Sequence, residues 1–290
     1  MARTDWKQVL EEGLEVPADR PLDELTAELT RMLGSTDPRL RDGTAYPALG
    51  TWVDRGVYDE LLTGLGDGMA AGLVVGLGER DTDTVFRRTS SVLVLATVVE
   101  RDISHQLVPG EKVLRWGDQI VSWYLRERDL RGHVDGKGWA HAVAHGADAI
   151  AALAGSRHLG VHELTVLLDV LADRLLTIDV PLLCGEPDRI AHAVMSILRR
   201  DLVPTGVVEP WITRIANHAS PFGDRSVEDP YALTNNAQQL LRSLYLQLAI
   251  APQPPADRAD LVLTTVDALR ATNPLSLVRR HPVPPVLTVE

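Results

Sequence analysis

Apolar residues at helical spacing run through almost the whole of this 290-residue sequence, and this periodicity constrains the fold more than any other feature. Alternating apolar and polar stretches, which half-buried strands require, are hard to find. Four prolines are expected near a first helical turn, where a proline loses no hydrogen bond: Asp37-Pro38, Glu186-Pro187, Glu209-Pro210 and Asp229-Pro230. The sequence therefore predicts an all-α fold of about twelve helices. We expect them at 4–14, 22–34, 38–54, 57–77, 82–104, 110–128, 137–155, 161–178, 187–201, 205–218, 230–250 and 256–272.

Pairs of these helices recur about every 40 residues, which indicates stacked helical hairpins that cover each other's apolar faces. Residues 37–49, DPRLRDGTAYPAL, resemble the D-P-x-V-R-x-x-A-x-x-A-L pattern of HEAT repeats, and residues 83–93 are a weaker echo. We therefore expect a HEAT-like helical-hairpin array, an α-solenoid, in a single domain over residues 1–280. A globular all-α bundle without repeats is the alternative. Residues 281–290 hold three prolines and are expected to form an extended tail.

Composition and charge limit the setting and the partners. The single cysteine, Cys184, cannot form an internal disulfide, which favours a reducing compartment, and we expect it to be a small buried side chain. The N-terminal residues lack a secretory apolar segment, and no apolar run reaches the length of a membrane span. The net charge is −11, with three lysines and no basic run, so we expect a cytoplasmic protein that binds neither nucleic acid nor a membrane.

The densest polar pattern lies in residues 138–148, GWAHAVAHGAD. His141, His145 and Asp148 are spaced i, i+4 and i+7, so a helix through them would place all three on one stripe. The remaining residues of this segment are mostly alanine and glycine, which allow close helix packing and predict a central helix. A polar stripe on a buried helix needs polar partners or a water-filled cleft. Trp139, near the predicted helix start, would form a wall of such a cleft or an anchor between helices.

Two interpretations of this stripe stay open. Two histidines at i, i+4 can bind a divalent metal, and Asp148 can add an oxygen ligand. The zinc-protease pattern, however, needs a glutamate directly after the first histidine, where this chain has Ala142. Alternatively, His141 and His145 are hydrogen-bonded residues of a solvated groove, and Asp148 sets one imidazole tautomer. Any further metal ligand would come from elsewhere in the chain: Glu100, Asp102, His105 or His192.

Other polar positions have ordinary explanations. Residues 100–102, Glu-Arg-Asp, are interpreted as an ion-pair cluster at a helix end, with acid–base chemistry as the alternative. His192 lies between apolar residues and is expected in the core. Asn235 and Gln239 lie one turn into a helix, where amides of a helical array can face its concave side. Residues 64–68, GLGDG, are interpreted as a helix break, because the lysine of a phosphate-binding loop is missing. No motif implies a specific cofactor.

Several segments together are similar to the DUF2785 family of bacterial proteins. They are residues 87–95 (RRTSSVLVL), 100–102 (ERD), 123–125 (WYL), 127–132 (ERDLRG) and 137–148 (KGWAHAVAHGAD), of which the last is the most specific. The resemblance spans most of the chain and implies a helical fold, but it attaches no activity and no residue roles.

The sequence thus predicts a binding or scaffold protein. Its concave face would take a peptide, a protein or a small polar molecule, because helical arrays mostly present surfaces. The expected lining is Trp139, His141, His145, Asp148, Asn235 and Gln239. The alternative is a metal-dependent or acid–base enzyme that uses His141, His145 and Asp148.

Overall fold

The computed structural model describes residues 4–220, 230–273 and 277. In this part of the chain twelve helices run for six residues or more, which confirms the all-α expectation. The helices are α1 (Trp6–Glu11), α2 (Leu22–Met32), α3 (Pro38–Leu40), α4 (Tyr46–Asp54), α5 (Leu62–Gly72), α6 (Thr84–His105), α7 (Gly110–Arg126), α8 (Ala142–Ala154), α9 (Val161–Leu176), α10 (Glu186–Leu198), α11 (Thr205–His218), α12 (Pro230–Ile250) and α13 (Arg258–Thr272). The three-residue α3 continues through a π-helical turn, Arg41–Ala45, into α4, and a 3₁₀ turn, Asp59–Leu61, precedes α5. The tail predicted for residues 281–290 lies outside the described residues.

Alternate helices pack in two layers. In the first layer α4, α6, α8, α10 and α12 each contact the next in that order. In the second layer α5, α7, α9, α11 and α13 do the same. From α5 onward each helix therefore buries one face against its own layer and another against the second layer, as amphipathic helices require. No helix among the described residues is both long enough and apolar enough to cross a membrane.

Helix α8 is the central helix that its small residues predicted. It packs between α6 and α10 and also against α7, and ten of its thirteen residues are buried. At Gly146 the side chain of Tyr124 comes so close that a Cβ would lie 2.2 Å from Tyr124 Cδ2. Small side chains are thus what allows the neighbouring helices to approach α8.

The helix predicted for 137–155 begins later than expected, at Ala142. Before it, strands β1 (His133–Val134) and β2 (Gly138–Trp139) form a short antiparallel hairpin in which His133 pairs with Trp139. Gly136 and Gly138 have φ angles of +71° and +77°, so the chain reverses where these glycines tolerate a left-handed backbone. His141 itself has a φ of +52° and precedes the helix. The sequence pattern at 137–141 was helical in spacing, but the turn-forming glycines determine the local structure.

The glycine-rich segment 64–68 does not break a helix, contrary to expectation, because it lies inside α5. A Cβ at Gly66 would lie 2.3 Å from Cζ2 of Trp116. Gly64 and Gly68, in contrast, have no atom within 4 Å of their Cβ positions. Gly66 is therefore required by the packing of α5 on α7, whereas its two neighbours are not.

A buried ion pair links the start of α6 to the end of α7. The Arg88 Nε donates to Glu127 Oε2 at 2.5 Å and its Nη2 donates to Oε1 at 3.0 Å, and both side chains are fully buried. Arg88 Nη1 donates to the Val75 and Gly76 carbonyls at 2.8 and 3.0 Å. Glu127 also accepts from the Trp123 indole at 3.0 Å. The segments that carry the family resemblance thus supply a fully hydrogen-bonded structural pair, which is how a buried charge pair becomes tolerable.

Candidate functional site

A polar cleft of about 590 Å³ lies in the first layer, between α4, α6, α8 and α10. Its volume falls within the range of about 300–1,000 Å³ that ligand sites occupy. Polar side chains from all four helices converge on it. The lining consists of Tyr46, Leu93, Ala96, Thr97, Glu100, Asp148, Ala151, Ala152, Arg189, His192 and Ser196. We call this site the inner cleft.

An ion pair joins two of the helices across the inner cleft. Arg189 Nε donates to Asp148 Oδ1 at 2.6 Å, and Arg189 Nη2 donates to Asp148 Oδ2. The hydrogen bonds to Asp148 raise the pKa of Arg189. Two parallel hydrogen bonds fix the orientation of both side chains. Asp148 therefore presents a carboxylate whose position is set before any ligand arrives.

Glu100 is a second carboxylate of the inner cleft, and it has no ion-pair partner among the described residues. Its side chain is exposed, but partial desolvation at the cleft, together with the negative charges of Asp54 and Asp148, raises its pKa. Tyr46 also lines the cleft, and burial raises the pKa of its hydroxyl. A carboxylate without a counter-ion in a cleft with a second carboxylate favours a ligand that brings a positive charge.

His192 lies in the inner cleft rather than in the core, contrary to expectation. His192 is an exposed residue at the cleft. Partial desolvation of the imidazole, followed by the positive charge of Arg199, lowers its pKa. Ile190 and Val194, its apolar neighbours in sequence, are buried on the other side of α10. The imidazole is therefore uncharged near neutral pH and offers one donor and one acceptor to the cleft.

Trp139, His141 and His145 form a separate ring stack beside the inner cleft. Trp139 lies on the hairpin, is 45% exposed, and stacks on His141 with ring centroids 4.8 Å apart. The rings of His141 and His145 meet edge to face at 5.5 Å. His141 Nε2 donates to the Cys184 carbonyl at 3.0 Å and lies 3.6 Å from Glu186 Oε1. Cys184 is half-buried, not buried as expected, because it lies in the loop before α10.

His145 is the innermost ring of this stack. Burial, and then the neighbouring charges of His141 and Arg189, lower its pKa to about 3, whereas the backbone of Thr89 acts in the opposite sense. Its Nδ1 is buried and makes no hydrogen bond within the described part of the chain. His145 is therefore a neutral, largely enclosed ring.

The structure separates the stripe that the sequence predicted. His145 and Asp148 lie on α8, but His141 precedes it, and of the three only Asp148 is among the residues that line the inner cleft. Among the described residues no group of three or more His, Cys, Asp or Glu side chains is placed to hold a metal ion.

The other candidate metal ligands also have different positions. Asp102 is buried and accepts from the Val108 backbone N–H at 2.7 Å, so it fixes the loop that follows α6. His105 is exposed, with Nδ1 3.3 Å from the Arg101 carbonyl. Arg101 pairs with Asp59 at 2.9 and 2.7 Å. The 100–102 cluster thus contains an arginine in an ion pair, an aspartate that fixes a loop and, in Glu100, a residue of the inner cleft.

The amides at 235–239 are mostly structural. Asn236 accepts from the Leu182 N–H at 2.8 Å and donates to the Val180 carbonyl at 2.9 Å. Gln238 donates to the Ala219 carbonyl at 2.7 Å. Asn235 is half-buried and Gln239 is exposed, and neither is among the residues of the inner cleft.

Sequence reasoning missed Arg189 and Tyr46. One signal was available for Arg189, because it lies 41 residues after Asp148, close to the spacing of the helical pairs. Two oppositely charged side chains that are separated by one repeat, on adjacent helices of one layer, can form an ion pair. Tyr46 carries no comparable signal.

A family model matches residues 73–246, which is more than half of the chain, and its description is "Protein of unknown function (DUF2785)". The chain belongs to the DUF2785 family. The DUF2785 match covers α6 to most of α12 and includes every residue of the inner cleft except Tyr46. Neither the curated proteins nor the solved structures contain a match to this chain.

Proposed function

We propose that this DUF2785 protein is a helical-repeat binding protein whose inner cleft takes a small polar ligand with a positively charged group. The observation that carries the proposal is the position of Glu100, a carboxylate without a counter-ion, in the same cleft as the fixed Asp148–Arg189 pair. Glu100 and Asp148 bring two negative charges, Arg189 brings one positive charge, and His192 is neutral near pH 7. The cleft therefore has an excess of negative charge.

Side-chain contacts support the repeat part of this proposal. Arg88–Glu127, Asp59–Arg101, Asp148–Arg189 and Asp173–Arg214 are separated by 39, 42, 41 and 41 residues respectively. Contacts that recur at one sequence separation are what a stack of similar helical pairs produces. We therefore interpret the two layers as a HEAT-like array, in which the inner cleft lies on the layer of α4, α6, α8 and α10.

The volume of the cleft favours a small ligand or a single side chain. Four helices contribute to the lining, and a cation bound there would gain the carboxylate of Glu100 as a charged hydrogen-bond acceptor. A lysine or arginine side chain of a peptide or protein offers the same group. An enzyme built on His141, His145 and Asp148 has weaker support, because these three residues do not face one common space. A cytoplasmic location remains part of the proposal.

The proposal is tested by calorimetric titration with spermidine, agmatine and a lysine-containing tripeptide. We expect at least one of them to bind, and Glu100→Gln to weaken that binding by about tenfold, the effect of losing one charged hydrogen bond. The matched control is Glu111→Gln, an exposed glutamate on α7 that changes the net charge equally. If none of the three probes binds, or if both variants weaken binding equally, the inner cleft is not the site of a cationic ligand.

A further inference from the structure

A second cavity of about 590 Å³ lies at the opposite layer, where the ends of α7 and α9 meet the loop after α5. It is lined by Leu77–Arg80, Leu125–Arg128, Leu130, Arg174 and Thr177–Asp179. Four arginines are among these residues, although the chain as a whole carries a net charge of −11. We call this site the arginine cavity; its arginines are Arg80, Arg126, Arg128 and Arg174.

Arg174 is the most unusual of the four. Its side chain is 5% exposed, and its Nε and Nη2 are buried without a hydrogen-bond partner among the described residues. The guanidinium lies over the ring of Tyr124, 5.6 Å from the centroid. A ring face compensates a buried cation much less than a carboxylate does. Of the three guanidinium nitrogens of Arg174, Nη1 is the one that is not both buried and unpartnered. An anion in the cavity would therefore contact Nη1 first.

Other arginines of this chain show what such a group normally contacts. In Arg88, Arg131 and Arg189, Nε and Nη2 donate together to the two oxygens of one carboxylate. In Arg174 the same edge has no such partner. Burial lowers the pKa of Arg174, but an arginine stays charged in proteins. The cavity thus contains a permanent cation that forms no ion pair with any residue the structure describes.

The carboxylates of Glu127 and Asp129, which lie on the C-terminal side of α7, already pair with other groups. Glu127, whose charge acts favourably on Arg174, is held by Arg88 and by the backbone N–H groups of Arg128 and Asp129 at 2.9 Å each. Asp129 pairs with Arg131 at 2.6 Å.

Three acidic residues line the cavity itself, Glu127 and two others. Glu79 accepts from the hydroxyls of Thr82 and Thr84 at 2.7 Å each, and Asp179 is exposed and makes no ion pair with any described residue. Arg80, Arg126 and Arg128 are exposed and have no ion-pair partner within the described residues. Positive charge therefore exceeds negative charge around the cavity.

We propose that the arginine cavity binds a small oxyanion with more than one negative charge, a phosphoryl compound or a polycarboxylate, with Arg174 at its base and Arg126 and Arg128 at its rim. Several arginines around one half-open cavity suit such an anion, because the exposed guanidinium groups of Arg126 and Arg128 can each donate two hydrogen bonds to paired oxygens, and Arg174 adds Nη1. This site is separate from the inner cleft, from which it differs in layer and in the sign of its charge.

Calorimetric titration with sodium pyrophosphate and with sodium citrate tests the proposal on the full chain. The wild type should bind at least one of the two, and the preferred anion identifies the phosphoryl or the carboxylate class. The double variant Arg126→Ala/Arg128→Ala should weaken binding by at least about tenfold. Arg174→Met should remove it.

Arg31→Ala/Arg115→Ala is the matched control, since both side chains are exposed and lie outside the cavity, and it removes the same charge. It should bind like the wild type, as should Glu100→Gln. Because Arg174→Met changes a buried residue, the exposed double variant decides the outcome if that protein does not fold. The proposal is overturned if the wild type binds neither anion, or if the control pair and the cavity pair weaken binding equally.

Discussion

His145 shows how a single position in the centre of a helical layer acquires an unusual ionisation. It lies among alanine and glycine on α8, and its ring contacts His141. Desolvation and neighbouring positive charge both oppose protonation, so its pKa falls to about 3. The sequence predicted a histidine on a polar stripe, whereas burial keeps this one neutral.

This ionisation predicts a pH dependence of stability. Between the ordinary pKa of 6.5 and the folded value of about 3, the unfolded chain binds a proton at His145 that the folded chain does not. The contribution of His145 is therefore fully present above pH 6.5 and is lost as the pH falls toward 3. We expect His145→Gln to reduce the slope of unfolding free energy against pH by up to about 1.4 kcal/mol per pH unit.

Urea unfolding between about pH 7 and about pH 5 measures this slope. His162→Gln, an exposed position at the start of α9, serves as the control. A slope for His145→Gln equal to that of the wild type would mean that the buried ring does not resist protonation.

At the scale of the element, glycine has two structural roles that the sequence pattern could not distinguish: it continues a helix at one place and reverses the chain at another. In residues 64–68 the glycines continue α5, whereas Gly136 and Gly138 reverse the chain before α8. Helical periodicity predicted most helices within a few residues, because caps, prolines and apolar spacing act locally. The start of α8 depended on backbone angles at two glycines, which residue spacing does not reveal.

The two glycines within α5 give a matched pair of predictions. Gly66→Ala should destabilise the protein by about 1–3 kcal/mol, because the new methyl group would overlap the Trp116 ring. Gly68→Ala should stabilise it by up to about 1 kcal/mol, because alanine is the better helix former and space is free at that position. Thermal and urea unfolding of both variants check the two signs. Equal effects would show that α5 does not pack on α7 as described.

At the scale of the whole molecule, helical class and helix number followed from the sequence, whereas the inner cleft did not. The cleft combines Tyr46, Glu100, Asp148 and Arg189 from four helices. Of these, Asp148 was a predicted ligand-binding residue and Glu100 a possible metal ligand. Which face of each helix contacts its neighbours depends on long-range packing, which residue spacing does not contain. From spacing alone, the residues of the ring stack and of the cleft are therefore predicted to lie on one stripe. The repeat character and the extent of the single domain remain predictions.

The central claim is that the inner cleft, and not the ring stack of Trp139, His141 and His145, binds the ligand. The most direct test compares Glu100→Gln with His141→Ala in calorimetric titrations against whichever cationic probe the wild type binds best. We predict that Glu100→Gln weakens binding by about tenfold while His141→Ala leaves the affinity unchanged. The opposite result, in which His141→Ala loses affinity and Glu100→Gln keeps it, would contradict the claim and return the binding site to the ring stack.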